Sequence, residues 1–252
     1  MTSYERNTGM VVCILGVLIV GAVLVGALAY FGPTTWGWFI GDDTVYYHFD
    51  STIGATTGTV NLDVDVTTGS VNIDFEDNAT LLYRIDVGAS NRTVQQTSAP
   101  TVIFSANTIT LDYSALAANI TLGSGVNYTL DITTDTGDID CDIIQGAHID
   151  DVTLTTGTGA IDIFMGSGVV IVGSPDFNFE TTTGAIDLNI ALPAGIGGSI
   201  EAAAGTGSVD IDAPGWTEIT SNHYESIDYD TASQTVTVVI QSGSGAVEAH
   251  IN

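Results

Sequence analysis

Apolar and polar residues alternate with period two in short runs along this chain, and the same tight turn keeps returning between the runs. Around Thr183, Phe177 and Phe179 alternate with Asn178 and Glu180. A Thr-Thr-Thr-Gly turn follows, after which Ile186, Leu188 and Ile190 alternate with Asp187 and Asn189. Period two predicts half-buried strands on both sides of the turn. Gly184 supplies a backbone conformation that a β-branched residue resists, and Pro193, Ala194 and Gly195 end the second strand. Each unit therefore reads as strand, corner, strand, loop.

The corner phrase recurs as Thr67-Thr-Gly-Ser-Val-Asn-Ile-Asp74, Thr136-Gly-Asp-Ile-Asp-Cys-Asp142, Thr158-Gly-Ala-Ile-Asp-Ile163, Thr183-Gly-Ala-Ile-Asp-Leu188, Thr206-Gly-Ser-Val-Asp-Ile211 and Ser244-Gly-Ala-Val-Glu-Ala249. A shorter copy stands at Thr57-Gly-Thr-Val-Asn-Leu62. Recurrence of one supersecondary phrase marks a stacked repeat architecture. Asp140, Asp162, Asp187 and Asp210 are separated by 22, 25 and 23 residues, about one coil of a β-solenoid. The expected fold is all-β: a β-solenoid, β-helix-like repeat domain preceded by one N-terminal transmembrane α-helix. Successive coils would stack Ile139, Ile161, Ile186 and Val209 inward and the four aspartates outward, with Asn72 and Glu248 at the same phrase position. The hairpin-like pair Val236–Ile251 would cap one end. A β-sandwich competes, but sandwich connections have no reason to repeat one turn chemistry.

Ahead of the repeats, residues 10–31 (MVVCILGVLIVGAVLVGALAYF) carry no charge. At about 1.5 Å per residue this run spans roughly 33 Å as a helix, enough to cross a bilayer core of about 30 Å. Tyr30, Phe31, Trp36, Trp38 and Phe39 stand where an interfacial belt would lie. Arg6 precedes the run, and Asp42 and Asp43 follow it. The organisation expected is a cytoplasmic tail at 1–9, a transmembrane signal anchor at 10–31, a juxtamembrane aromatic linker at 32–43 and an extracellular acidic β-solenoid at 44–252. The location expected is the cell membrane, single-pass, with the N-terminus cytoplasmic and the lipid bilayer as a partner through residues 10–31. Two other fates for the segment are cleavage after Ala27-Leu28-Ala29 as a signal peptide and cleavage after Gly9 as a pilin-type leader.

Charge narrows the functions. The 252 residues hold 30 acidic side chains against three basic ones, Arg6, Arg84 and Arg92, for a formal net charge of −27; there is no lysine. Binding nucleic acid requires cations that displace counterions from phosphates, so it is excluded, as is basic-patch docking on anionic lipid. Such an acidic surface suits high salt, or simply keeps a secreted protein soluble. Cys13 and Cys141 cannot plausibly pair, and Cys141 takes a position that Ile or Leu holds in other repeats, which predicts a buried thiol.

The candidate chemistry is the outward row Asp140, Asp162, Asp187 and Asp210. Carboxylates stacked about 4.8 Å apart repel by about 0.9 kcal/mol even in bulk water. Bulk salt or bound divalent cations would relieve this, and Ca2+ is the candidate metal because oxygen ligands suit it. No other cofactor is expected. His48, His148, His223 and His250 show no metal-ligand spacing. An enzyme acting on polysaccharide is a possible alternative, since solenoid hydrolases and lyases carry clustered aspartates. It needs two carboxyls in unlike environments, whereas this row repeats one environment. Four sequons, at Asn78, Asn91, Asn119 and Asn127, are the glycosylation candidates.

These Thr/Ser-Gly corners and Val/Ile-Asp-Ile strands resemble the DUF4097 family of adhesin-type domains, clearest from Leu130 to Asp212. The resemblance implies a β-solenoid and a role in the cell envelope, and it brings no catalytic residues. Residues and resemblance together lead to a non-enzymatic surface protein: an adhesin or envelope structural module. Its partners would be other cell-surface components or further copies of itself. The alternative is a pilin-like or surface-layer filament subunit.

Overall fold

The structure is a computed structural model and describes residues 43–252. The chain divides into two units, Met1–Ile40 and Gly41–Asn252, and the described residues belong to the second. Strand β1 (Thr44–Thr52) comes first. The chain then bends from β2 (Thr59–Thr68) into β3 (Val71–Phe75) and returns in β4 (Leu81–Ser90). A short helix, α1 (Asn91–Gln96), is capped by Ser90, whose side chain accepts from the Thr93 N–H at 3.1 Å. After β5 (Ile103–Ser105) come four bent pairs: β6 (Thr108–Ala115) with β7 (Ala117–Leu122), β8 (Asn127–Thr136) with β9 (Ile139–Ile143), β10 (His148–Thr158) with β11 (Ile161–Met165), and, past the short β12 (Val170–Ile171), β13 (Asp176–Thr183) with β14 (Ile186–Ile190). Another bent pair joins β15 (Gly197–Thr206) to β16 (Val209–Asp212). Strands β17 (Thr217–Thr220) and β18 (His223–Glu225) lead to the last, β19 (Thr235–Ser244) with β20 (Val247–Ile251).

Each bent pair is a rung that leaves one sheet and enters another. Sheet I runs β1-β4-β7-β3-β9-β11-β14-β20-β16, and sheet II runs β17-β18-β15-β19-β13-β10-β8-β2-β6-β5, with β12 attached to β10. Rung pairs with rung in parallel, whereas β1, β4, β5, β17 and β18 pair antiparallel at the ends. The inward residues of both sheets form one continuous apolar core. Its bulky members include Phe177, Phe179 and Tyr128, whose hydroxyl donates to the Leu82 carbonyl at 2.6 Å.

The corners explain why rungs stack so closely. The Gly159 N–H donates to the Thr183 carbonyl at 3.0 Å, the Gly184 N–H to that of Ser244 at 2.9 Å, and the Gly137 N–H to that of Thr158 at 2.8 Å. A hydroxyl two residues before each corner threonine or serine closes the other side. Thr156 donates to the Gly137 carbonyl at 2.9 Å, Thr181 to Gly159 at 3.1 Å and Ser242 to Gly184 at 3.1 Å. The repeated Thr/Ser and Gly of the phrase are thus the donors and acceptors of a ladder that runs along the bend.

Three sequence expectations need correction. The first is the solenoid, because the structure has two large mixed sheets and does not close into coils. A solenoid advances by one neighbour for each turn of chain. Here β19 and β20 insert between β13/β14 and β15/β16, and β2 and β3 lie between β8/β9 and β6/β7. The corner phrase specifies how a rung contacts a neighbour, not which rung the neighbour is. Second, the C-terminal pair Val236–Ile251 lies inside the stack and does not cap it. Third, the copy at Thr57 forms no corner. Its Gly58 stands just ahead of β2 with open space around it, and the missing corner is at Leu116, which carries no Thr-Gly phrase.

The single-pass membrane protein is likewise corrected. Among the described residues no helix is long and apolar enough to cross a membrane, and α1 has six residues. The expected tail at 1–9, span at 10–31 and nearly all of the linker at 32–43 lie outside the described residues.

Candidate functional site

Alternation turns Val71, Ile73 and Phe75 of β3 into the core, and likewise Ile139, Cys141 and Ile143 of β9. Asn72 and Asp74, and Asp140 and Asp142, therefore emerge on the outer face of sheet I. Parallel register lines such residues up across the rungs. Asn72 pairs with Asp140, Asp140 with Asp162, Asp162 with Asp187, Asp187 with Glu248 and Glu248 with Asp210. The predicted aspartates do share one file, but Asp187 and Asp210 are not neighbours, because the inserted rung places Glu248 between them. The core follows the same order, with Val247 separating Ile186 from Val209.

A second file lies two residues further along each strand. It carries Asp74 opposite Asp142, then Phe164, Asn189, His250 and Asp212. Sequence reasoning passed over this file, although the same alternation that places Asp140 outward also places Asp142 there.

Polar partners for the acidic groups stand at the two ends of the face. His48 Nδ1 lies 2.7 Å from Asp86 Oδ1, and Arg84 pairs with Glu76 at 3.1 Å. At the other end His250 Nδ1 lies 2.9 Å from Asp212. The middle holds Asp74, Asp140, Asp142 and Asp162, and there the carboxyls are pushed above the usual range. Burial, then Asp142, Asp162 and Asp74, raise Asp140 to about 6. Burial and Asp142 raise Asp74, burial raises Asp142, and burial with Asp187 and Asp138 raises Asp162. Among the described residues no three His, Cys, Asp or Glu side chains converge as a metal centre.

A raised carboxyl keeps its proton in the folded state at a pH where the unfolded chain has lost it. Stability from this group is therefore present at low pH and declines as pH rises from about 4 through about 6, where Asp140 ionises. We expect the melting temperature to fall over that window. Asp140→Asn should flatten the fall and stabilise the protein at pH 7.5 by about 1 kcal/mol, a figure discounted because the side chain is partly solvated. Thermal unfolding at pH 4.5, 6 and 7.5 checks this, and an unchanged slope in the variant refutes it.

The glycosylation candidates differ in setting. Asn78 is engaged in a turn, accepting from the Thr80 N–H at 3.1 Å and donating to Glu76 at 3.2 Å. Asn127 faces His148 at 3.3 Å. Asn119 is half-buried on sheet I and accepts from Asn72 Nδ2 at 2.7 Å, while Asn91 opens the exposed helix α1. Glycopeptide mass spectrometry of the native protein is expected to show sugar at Asn91, on the exposed helix, before Asn119, which is half-buried on the sheet.

The remaining chemistry-bearing residues are structural. Cys141 is fully buried and its thiol is pushed up by burial and the flanking aspartates, so it is poorly nucleophilic. Trp216 packs partly buried against the core and over Gly198.

No protein family matches the chain by its sequence model, and no curated protein matches it. Solved structures do. A candidate cell adhesion protein from Clostridium sporogenes aligns with a TM-score of 0.66 at 18% identity, covering 83% of this chain and 100% of that one. That likeness shows the fold. A candidate adhesin from Bacteroides fragilis covers 83% of this chain and 98% of its own at 11% identity, with a TM-score of 0.31.

Proposed function

We propose that this protein is a non-enzymatic, adhesin-like protein of the cell surface, and that the outer face of sheet I is its contact surface. The carrying observation is the in-register acidic file, which continues the same kind of side chain from rung to rung and so suits an extended contact. The fold shared with the Clostridium sporogenes protein supports the same reading. The reading is tested by coating beads with the purified protein and measuring retention on whole cells and on immobilised surface polysaccharides. Replacing Asp162, Asp187 and Glu248 together by their amides should reduce retention by an order of magnitude. Retention equal to that of uncoated beads removes the reading.

A second reading, a subunit of a filament or surface layer, rests on β16. This strand ends sheet I with one edge unpaired among the described residues, and its Val209 and Ile211 are only half-buried. Unpaired strand edges invite strand addition from another chain. Ordered fibres in electron micrographs favour this reading, and dispersed monomers favour the first.

A further inference from the structure

We propose that Asn72, Asp74, Asp140 and Asp142 form a binding site for one divalent cation of the calcium class. The four residues occupy the corners of a rectangle on the outer face of sheet I. Asn72 is in register with Asp140 and Asp74 with Asp142, and each strand contributes two outward positions. Strand spacing sets one side at about 4.8 Å and alternation sets the other at about 7 Å. The donors are all oxygen, which selects a hard cation over a transition metal.

Asn72 is what separates this group from the rest of the acidic file. It is 8% exposed, and its Oδ1 is fully buried without a hydrogen-bond partner among the described residues. Its Nδ2 is held by Asn119 Oδ1 on β7, at 2.7 Å. With Nδ2 held on the β7 side, we place the orphan oxygen on the β9 side, where Asp140 is the register neighbour of Asn72. A buried carbonyl oxygen aimed at a carboxylate is doubly unfavourable, because it lacks a donor and faces a like charge. A cation between them satisfies both. Asp140 and Asp142 are solvent-accessible, and Asp74 is half-buried. As they stand the three carboxylates do not converge on one point, and a divalent ion would have to draw them together. The larger ion is favoured over magnesium, because ligands spread over two strands suit flexible coordination at 2.3–2.6 Å better than a small octahedron.

One rearrangement would remove the need for an ion. If both amides turn over, Asn119 donates to Asn72 Oδ1 and Asn72 donates to Asp140. Thermal unfolding of the full-length, chelator-treated protein distinguishes the two. Calcium chloride should raise the melting temperature by several degrees over sodium chloride at equal ionic strength, and calorimetry should give one ion per chain. Asp142→Asn and Asp140→Asn should abolish the difference, while Asp210→Asn, in the same file but outside the rectangle, should retain it. Equal melting temperatures in the two salts overturn the site in favour of the turned-over amides. Equal loss in Asp210→Asn, or persistence in Asp142→Asn, overturns it in favour of diffuse screening.

Discussion

Gly184→Ala is expected to cost at least about 4 kcal/mol and leave little folded protein at 37 °C. Two separate penalties meet there. Gly184 has φ +153°, a conformation that L side chains rarely adopt, and an added Cβ would lie 1.8 Å from the Gly159 carbonyl oxygen. That oxygen belongs to backbone and already accepts from Thr181, so it cannot move aside without opening the next corner. Gly173→Ala provides the control. Its φ is +70° but nothing lies within 4 Å, so the cost should be about 1 kcal/mol, from the dihedral alone. Chemical denaturation of the two variants measures the difference. Similar midpoints would show that the corners have slack, and that their close stacking does not determine stability.

Ending the chain after Gln234 is the second large effect. In a stack that followed chain order, such a cut would remove one terminal rung and spare the rest. Here β19 and β20 are the rung neighbours of β15 and β16, and they also cover β13 and β14. Their loss should release everything from Gly197 onward and bare Phe177, Phe179, Ile186 and Leu188. Limited proteolysis with mass mapping should find cleavage throughout residues 197–234 in the shortened chain. Protection of that region would contradict the observed strand order.

The same comparison shows how far the sequence could be read. Thr183-Gly-Ala-Ile-Asp-Leu188 announced a corner and the faces of its two strands, because Gly tolerates the bend and period two sorts side chains inward and outward. It also placed Asp140, Asp162, Asp187, Glu248, Asp210 and Asn72 at one phrase position, and register does put them in one file. Spatial order was beyond reach. Every corner offers an equivalent N–H, carbonyl and hydroxyl, so pattern alone cannot tell whether Thr183 meets Thr206 or Ser244. The Leu116 corner lacked the phrase altogether, and β1 and β4 pair antiparallel, outside the repeat logic. At the candidate site, Asp142 and Asp74 could have been found from the alternation. The orphan oxygen of Asn72 could not, since it depends on which rung became the neighbour of β3.

Because β19 and β20 thread between rungs made earlier, no portion of the chain emerging from a ribosome or a secretion channel can finish the core before the final strands arrive. Until then the stack ending at β13 and β14 keeps an open apolar flank. The rungs up to β14 can stack as they appear, whereas β15 and β16 gain a rung neighbour only when the last residues are free.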